Sequence, residues 1–588
     1  DKGQRTKDKR QRTKDKRQTT NDKRQRTNNM FKREPEWRKE SVIYQIYPLS
    51  FADANGDGRG DLQGIIKRLD YLNDGQNNNE TSLGIDAIWL SPINESPMFD
   101  NGYDVSDYYD ICHIFGTLDD FKLLLAEAHK RGMKVILDLV INHTSNEHPW
   151  FLEARSSRYN PKSDWYLWHD PAPDGGVPNN WLSYFGGTAW TYDEQRQQYY
   201  YHAFNPNQPD LNWHNPEVRA AISDIIRYWL DLGVDGFRLD ASSVYSKDKY
   251  LRNNPVKFEG SEKRYKDQYH IYDKNLPENH EIIQEIRKII DEYDHRVLIG
   301  ETFIDNRLYD SVIFHGVNDD ELHLPLTFEF PLSPWYPGYL QREIEKKELL
   351  TPNWAWSVYF LNNHDLPRHL SRWSECSLCF DTIAIAKASA TILLTIRGTP
   401  ILYYGEEIAM VNHENIPLEQ VQDKAAISCL DEECLPSRDG TRTPMQWDTS
   451  AQAGFSFGKE VNPWLPIHEN YKTVNVETEL KEKDSVLNFY RSLMQVRKHS
   501  EALRKGSWKP LIYYPYEHLA YLRETETEMI LVVINFSYEK NFDLDRAIPR
   551  QYWEVLLSTT LEQGSVIPLP KLLQPFEVSI LRFSPEMR

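Results

Sequence analysis

Short apolar runs recur along the chain at intervals that leave room for one helix between successive runs. Eight of them read as buried parallel strands: VIYQIYP (42–48), IDAIWLSP (85–92), MKVILDLVIN (133–142), VDGFRLD (234–240), VLIGE (297–301), LTFEFPL (326–332), WSVYFLNN (356–363) and TPILYYGE (399–406). Between them, apolar residues fall three and four apart with charges in the gaps, as in 118–131, 216–232 and 280–293, which is the period of an amphipathic helix. This alternation predicts an α/β fold. A closed (β/α)8 TIM barrel is favoured over an open doubly wound sheet, because acids ending the third, fourth, fifth and seventh strands must meet at one face.

Two segments break the alternation. Residues 144–213, after the third strand, are rich in Pro, Gly, Asn and aromatics and too long for an ordinary barrel loop, so they read as an inserted domain B. After residue 505, the runs LAYLRET, MILVVINF, YWEVLLS and VSILRF predict a C-terminal all-β sandwich domain over 506–588. The catalytic barrel then occupies 30–143 and 214–505. Residues 1–29 are different in kind: a seven-residue repeat (KDKRQRT, KDKRQTT, NDKRQRT) without an apolar position, expected to be a basic, disordered, low-complexity tail. Met30 directly follows it, and the repeat is expected to have no catalytic role.

Charge narrows the partners. The 588 residues carry a net −19, and the tail alone holds twelve Lys or Arg against four Asp, leaving −27 on the rest. A surface of that sign does not bind a phosphate backbone, so no nucleic acid is expected. No apolar run is long enough to span a bilayer or act as a secretory signal, which predicts no membrane association. Five cysteines, Cys112, Cys376, Cys379, Cys429 and Cys434, are read as reduced thiols of a cytoplasmic protein; the single C-x-x-C lacks a second zinc pair. The 17 Trp and 34 Tyr suit both packing and the stacking of sugar faces.

The chemistry is clearest in GFRLDA (236–241). Retaining cleavage of a glycosidic bond needs a nucleophilic carboxylate and a protonated one about 5 to 5.5 Å apart. Asp240 is placed for the first role, and Arg238, two residues earlier on the same face of the strand, orients it and keeps it ionised. Glu301 closes an apolar strand, where desolvation raises a carboxyl toward a general acid. DANGDGRGD (53–61) sets oxygen ligands at alternate positions with glycines for a tight turn, as in a calcium loop. Together with DLVINH (138–143), QPDLN (208–212), NNHD (362–365) and TRTPMQW (441–447), these segments resemble the α-amylase superfamily, glycoside hydrolase family 13. Within it the exo-acting α-glucosidases and oligo-1,6-glucosidases are most similar.

The resemblance implies the remaining roles. Asp240 is the nucleophile, Glu301 the acid/base, and Asp365 the third acid, binding sugar hydroxyls and helping distort the ring. His143 and His364 donate to hydroxyls of the same glucose, Tyr103 stacks on it, and Phe204 of domain B lines the pocket. Asp100, in FDNGYD, and Arg442 hold the 4-hydroxyl of the terminal glucose. Asp53, Asn55, Asp57 and Asp61 by side chain and Arg59 by carbonyl form a structural Ca²⁺ or Mg²⁺ site, with no organic cofactor.

Two markers of linkage conflict. QPDLN is common in oligo-1,6-glucosidases, whereas Ala241 after the nucleophile is smaller than the Val usual there, and leaves room for an α-1,4-linked glucose. The expectation is a monomeric or homodimeric retaining exo-α-glucosidase releasing glucose from short oligosaccharides or disaccharides, preferring α-1,4 over α-1,6. The alternatives are an oligo-1,6-glucosidase, a transglucosylase or isomerase of trehalose synthase or sucrose isomerase type, and, more remotely, a non-catalytic sugar-binding subunit.

Overall fold

The computed structural model describes residues 36–76, 82–258, 264–302, 312–376, 381–423, 437–458, 461–512, 516–539, 548, 552–570 and 572–584. The N-terminal repeat lies outside these residues, as do Met30, Cys379, Cys429 and Cys434; Cys112 is a buried free thiol.

Eight parallel strands form the central sheet: β1 (Ile43–Ile46), β2 (Ala87–Leu90), β3 (Lys134–Leu139), β4 (Gly236–Leu239), β5 (Val297–Glu301), β6 (Leu324–Leu326), β7 (Val358–Phe360) and β8 (Thr399–Tyr403). Their order is β6-β5-β4-β3-β2-β1-β8-β7, and β6 lies beside β7 without a ladder, so the sheet curls into a barrel with its seam there. Helices follow the strands, among them α1 (Leu62–Leu72), α2 (Leu118–Lys130), α3 (Pro216–Leu232), α4 (Pro277–Ile290), α5 (Pro337–Leu350), α6 (Thr382–Thr395) and α7 (Val486–His499). The fourth of these starts three residues before the periodic pattern suggests, because Pro277 at its first turn needs no hydrogen-bond donor.

Strand pleat divides the side chains between two cores. Ile43, Ala87, Trp89, Ile136, Val297 and Ile299 fill the barrel interior, while Tyr44, Ile88, Leu90, Val135, Leu137 and Leu298 pack outward against the helices. The same parity turns Asp138, Arg238, Asp240 and Glu301 inward. Gly236 permits β4 to approach β5, since a Cβ there would meet the Val297 carbonyl oxygen at 2.3 Å.

The sixth strand departs from the sequence pattern. It spans Leu324–Leu326 and shares only Leu326 with the predicted 326–332. Pro325 is tolerated because β6 borders the seam and pairs with β5 alone. The apolar run beyond it turns over the barrel mouth, where Leu332 N–H bonds the Phe328 carbonyl, so Phe328 faces the pocket and Phe330 joins the outer core.

Within 144–213, a three-stranded antiparallel sheet (Trp168–His169, Gln198–Tyr201, Trp190–Asp193) carries a separate core around Trp181, Trp190 and Tyr201, while a helix (Pro149–Ser156) packs Phe151 on Trp168 and Tyr200 and joins the barrel's outer core. An isolated bridge between His143 and Asp210 ties the two ends of this excursion together at the top of β3.

The C-terminal unit is all-β. Its described strands, β9 (Ser507–Pro510), β10 (His518–Glu524), β11 (Met529–Asn535), β12 (Tyr552–Ser558), β13 (Val566–Pro568) and β14 (Val578–Ser584), make one six-stranded antiparallel sheet instead of two facing ones. Leu519, Tyr521, Ile530, Val532 and Ile580 on one face join the barrel's outer core. Ala520, Leu522, Leu531, Val533 and Trp553 on the other face form a separate cluster. The barrel thus supplies the layer that a second sheet would otherwise supply. Among the described residues, no helix is long and apolar enough to cross a membrane.

Candidate active site

A cavity of about 380 Å³ opens at the C-terminal ends of the strands, and Asp240, Glu301, Asp365, Asp100, Tyr103, His143, Phe204, Ala241 and His364 all line it. Arg238 lies beneath it, 1% exposed. β3 and β4 pair in a register that sets Asp138 beside Arg238. From there the guanidinium reaches three acids: Nη1 donates to Asp138 Oδ1 (2.9 Å) and Asp240 Oδ1 (2.7 Å), and Nη2 to Glu301 Oε2 (2.7 Å). One buried cation therefore fixes the oxygen of Asp240 relative to that of Glu301.

Burial pushes both carboxyls up, to about 7 in each case, against the opposing pull of Arg238. The charge of Asp240 adds to the rise at Glu301. Asp365 behaves oppositely. Burial raises it too, but the guanidiniums of Arg438 and Arg442 outweigh this and hold its carboxyl well below the usual range. It remains an anion.

Tyr103, His364 and Asp138 form a relay of hydrogen bonds. Tyr103 Oη donates to Asp138 Oδ2 (2.9 Å) and lies 2.5 Å from His364 Nε2, whose ring is parallel to the tyrosine within 5°. Gln45 Nε2 sits 2.8 Å from His364 Nδ1, which makes Nδ1 the acceptor and assigns the ring proton to Nε2. Burial lowers His364 to about 3, so it is neutral. His143 is also lowered by burial, and its Nε2 lies 2.9 Å from the Tyr103 carbonyl. Phe204 meets the His143 ring edge to face at 5.3 Å and stacks on Tyr184.

The predicted partnership of Asp100 with Arg442 is not what forms. Arg442 is fully buried, donates from Nε to the His364 carbonyl (2.7 Å) and from Nη2 to Asp365 Oδ1 (3.0 Å), and does not line the cavity. Arg438 pairs with Asp100 instead, Nη2 to Oδ1 at 2.7 Å. The two arginines flank a 3-10 turn, Arg438–Thr441, in which residues three apart eclipse, so residues four apart point to different sides. The R-D-G-T-R spacing was available in the sequence, but only the turn type selects its first arginine. Asp138 and Gln208 also acquire roles that no residue pattern assigned. Gln208 Nε2 donates to Asp100 Oδ2 (3.2 Å) and to the Tyr103 carbonyl (3.1 Å).

Ala241 has φ of 46°, a left-handed conformation uncommon for a non-glycine residue, and its N–H donates to Glu301 Oε2 at 3.2 Å. The turn after the nucleophile thus helps fix the second carboxyl.

Asp53, Asn55, Asp57, Arg59 and Asp61 lie in one loop ahead of α1, wound by Gly56 and Gly58 at positive φ. Three carboxylates, an amide and a carbonyl are an all-oxygen donor set that fits a hard divalent cation. Their side chains accept the loop's own amides: Asp53 from Gly56 and Gly58, Asn55 from Asp57, Asp57 from Arg59, and Asp61 from Ala54, Asn55 and Gly64. The only convergent trio of His, Cys, Asp or Glu ligands among the described residues is elsewhere, at Glu95, Cys112 and His113.

Paired carboxyls bridged by a guanidinium at the mouth of a (β/α)8 barrel, with a third acid held ionised beside them, define an enzyme that breaks O-glycosyl bonds. The family model described as alpha amylase, catalytic domain, matches residues 45–506, and the chain belongs to that family. It is 42% identical to a probable alpha-glucosidase of Rhizobium meliloti (strain 1021), covering 87% of this chain and 91% of that protein. It is 39% identical to an oligo-1,6-glucosidase of Parageobacillus thermoglucosidasius, covering 86% and 91%. Among solved structures it resembles the isomaltulose synthase SmuA from Protaminobacter rubrum, with TM-score 0.82 and 34% identity over 94% of this chain and all of that one.

Proposed function

We propose that the protein is a retaining exo-α-glucosidase that removes one glucose at a time from the non-reducing end of short α-glucosides, α-1,4 in preference to α-1,6. The observation carrying this reading is the Asp100–Arg438 pair, which shares a pocket with Asp240 and Glu301 and is joined to Asp365 through Arg438 Nη1 (3.0 Å). A charged pair there binds the hydroxyls of a terminal ring and bars a further sugar. Asp240 attacks the anomeric carbon while Glu301 gives its proton to the departing oxygen. Water, deprotonated by Glu301, then opens the glucosyl ester with net retention. Asp365, His143 and His364 hold the ring hydroxyls. Ala241, beside the leaving sugar, supports the α-1,4 preference.

The loop at 53–61 would hold Ca²⁺ or Mg²⁺ as a structural ion, supporting the approach to α1 and taking no part in the reaction. The few cysteines support a cytoplasmic setting. Transfer of the glucosyl group to a sugar acceptor uses the same intermediate, and the likeness to an isomaltulose synthase favours it as the second reading.

A product time course on maltose, isomaltose, sucrose and trehalose tests both. Glucose released first as the α-anomer, fastest from maltose, is expected. Isomaltulose or trehalulose accumulating from sucrose would support transfer, and release of larger fragments from an end-blocked maltotriose would refute exo action.

A further inference from the structure

Arg438 contacts three carboxylates, yet a long side chain in a pocket wall can reach its substrate only if its guanidinium plane is fixed. Two of the three, Asp100 and Asp365, face the sugar's expected position. The third, Asp423, takes the other edge: Arg438 Nε donates to Asp423 Oδ2 and Nη2 to Asp423 Oδ1, both at 2.9 Å, a bidentate fork that sets the plane.

The fork is itself built into a clasp. Arg438 N–H donates to Asp423 Oδ2 (2.9 Å), while Asp439 Oδ2 accepts from Gln422 N–H (2.6 Å) and Asp423 N–H (3.0 Å). Asp423 and Arg438–Asp439 thus hold each other by reciprocal side-chain and backbone bonds. The Asp423 side chain is 2% exposed, and the Arg438 bonds keep its carboxyl below the ordinary range despite burial. On one face of the guanidinium lies the Phe185 ring, 5.2 Å from its carbon, so an arginine released from the fork could swing over that ring and away from Asp100.

We propose that Asp423 is a positioning residue for substrate-end recognition: it aims Arg438 at the terminal glucose without touching the reacting atoms. The proposal rests on the reading of Asp100 and Arg438 as the pair that binds the terminal 4-hydroxyl.

The test compares p-nitrophenyl α-glucoside with its 4-deoxy analogue for the wild type and Asp423→Asn, with Asp423→Glu, which keeps the charge but displaces the fork, measured in parallel. The wild type is expected to prefer the 4-hydroxy substrate. In Asp423→Asn, kcat/KM on that substrate should fall about tenfold to a hundredfold, mainly through KM, while the 4-deoxy substrate changes little, so the preference collapses. Asp423→Glu should fall between the two, and carries the test alone if the Asn variant does not fold. A variant as selective as a discriminating wild type, whatever its activity, would overturn the role of Asp423 while leaving end recognition standing. A wild type indifferent to the 4-hydroxyl would overturn the end-recognition reading, and the proposal with it.

Discussion

Asp100 and Asp365 share one guanidinium, Arg438 Nη2 reaching the first at 2.7 Å and Nη1 the second at 3.0 Å. The acid from the loop after β7 and the acid from the loop after β2 are therefore one electrostatic unit. A change at either acid removes one of the bonds that hold the guanidinium they share.

The two reacting carboxyls are expected to be separable by substrate. Asp240→Asn should lose several orders of magnitude in turnover on every α-glucoside, because the covalent step has no substitute. Glu301→Gln should lose as much on maltose but far less in the first step on an aryl glucoside, whose leaving group needs no proton. Pre-steady-state bursts on both substrates check this, with circular dichroism confirming the fold.

The pH profile follows from the raised carboxyl of Glu301. Burial raises Glu301 to about 7, so kcat/KM on maltose should decline as pH rises through that region and the acid is lost. In Glu301→Gln, assayed on an activated substrate, that alkaline limb should vanish. A limb of unchanged position would assign it to another group.

Arg438 and Arg442 should fail differently. Arg438→Lys keeps the charge but not the fork, and should raise KM on maltose about tenfold or more with a small change in Tm. Arg442→Ala strips one of two arginine partners from the part-buried Asp365 and leaves the His364 carbonyl without its donor. It should cost about 1 to 3 kcal/mol of stability, since Arg438 still holds Asp365, read by denaturant unfolding.

Ala241→Val should raise the isomaltose-to-maltose ratio of kcat/KM about tenfold, since the added methyls crowd an α-1,4 aglycone. The backbone adds a cost that the residue type does not reveal. At φ of 46° a β-branched side chain is strained by about 1 to 3 kcal/mol, so Tm should also drop. An unchanged substrate ratio would place linkage control outside this position.

Chelation of a structural cation should lower Tm by a few degrees while leaving kcat at 25 °C within about twofold, because binding only to the folded state stabilises it by mass action. Asp57→Ala should reproduce the chelated Tm without chelator. A Tm indifferent to EDTA and to added Ca²⁺ or Mg²⁺ would remove the ion from the account.

The sequence by itself determined the barrel and most of the chemistry, for a reason of parity. Alternate residues on a strand face opposite sides, so Arg238 and Asp240 had to point the same way, and Glu301 at the end of its strand had to join them once the sheet closed. The apolar run at 326–332 misled because hydrophobicity marks burial, not strand. Its residues turn over the barrel mouth, and the strand beside them sits at the seam, where Pro325 is allowed. Which arginine meets Asp100 was decided only in three dimensions. Arg438 and Arg442 differ by a rotation around a 3-10 turn, and Asp100 lies 338 residues from the first and Asp365 77 residues from the second. The left-handed backbone of Ala241 and the clasp between Asp423 and Arg438–Asp439 are likewise properties of closed loops, because their hydrogen bonds exist only after distant segments have met.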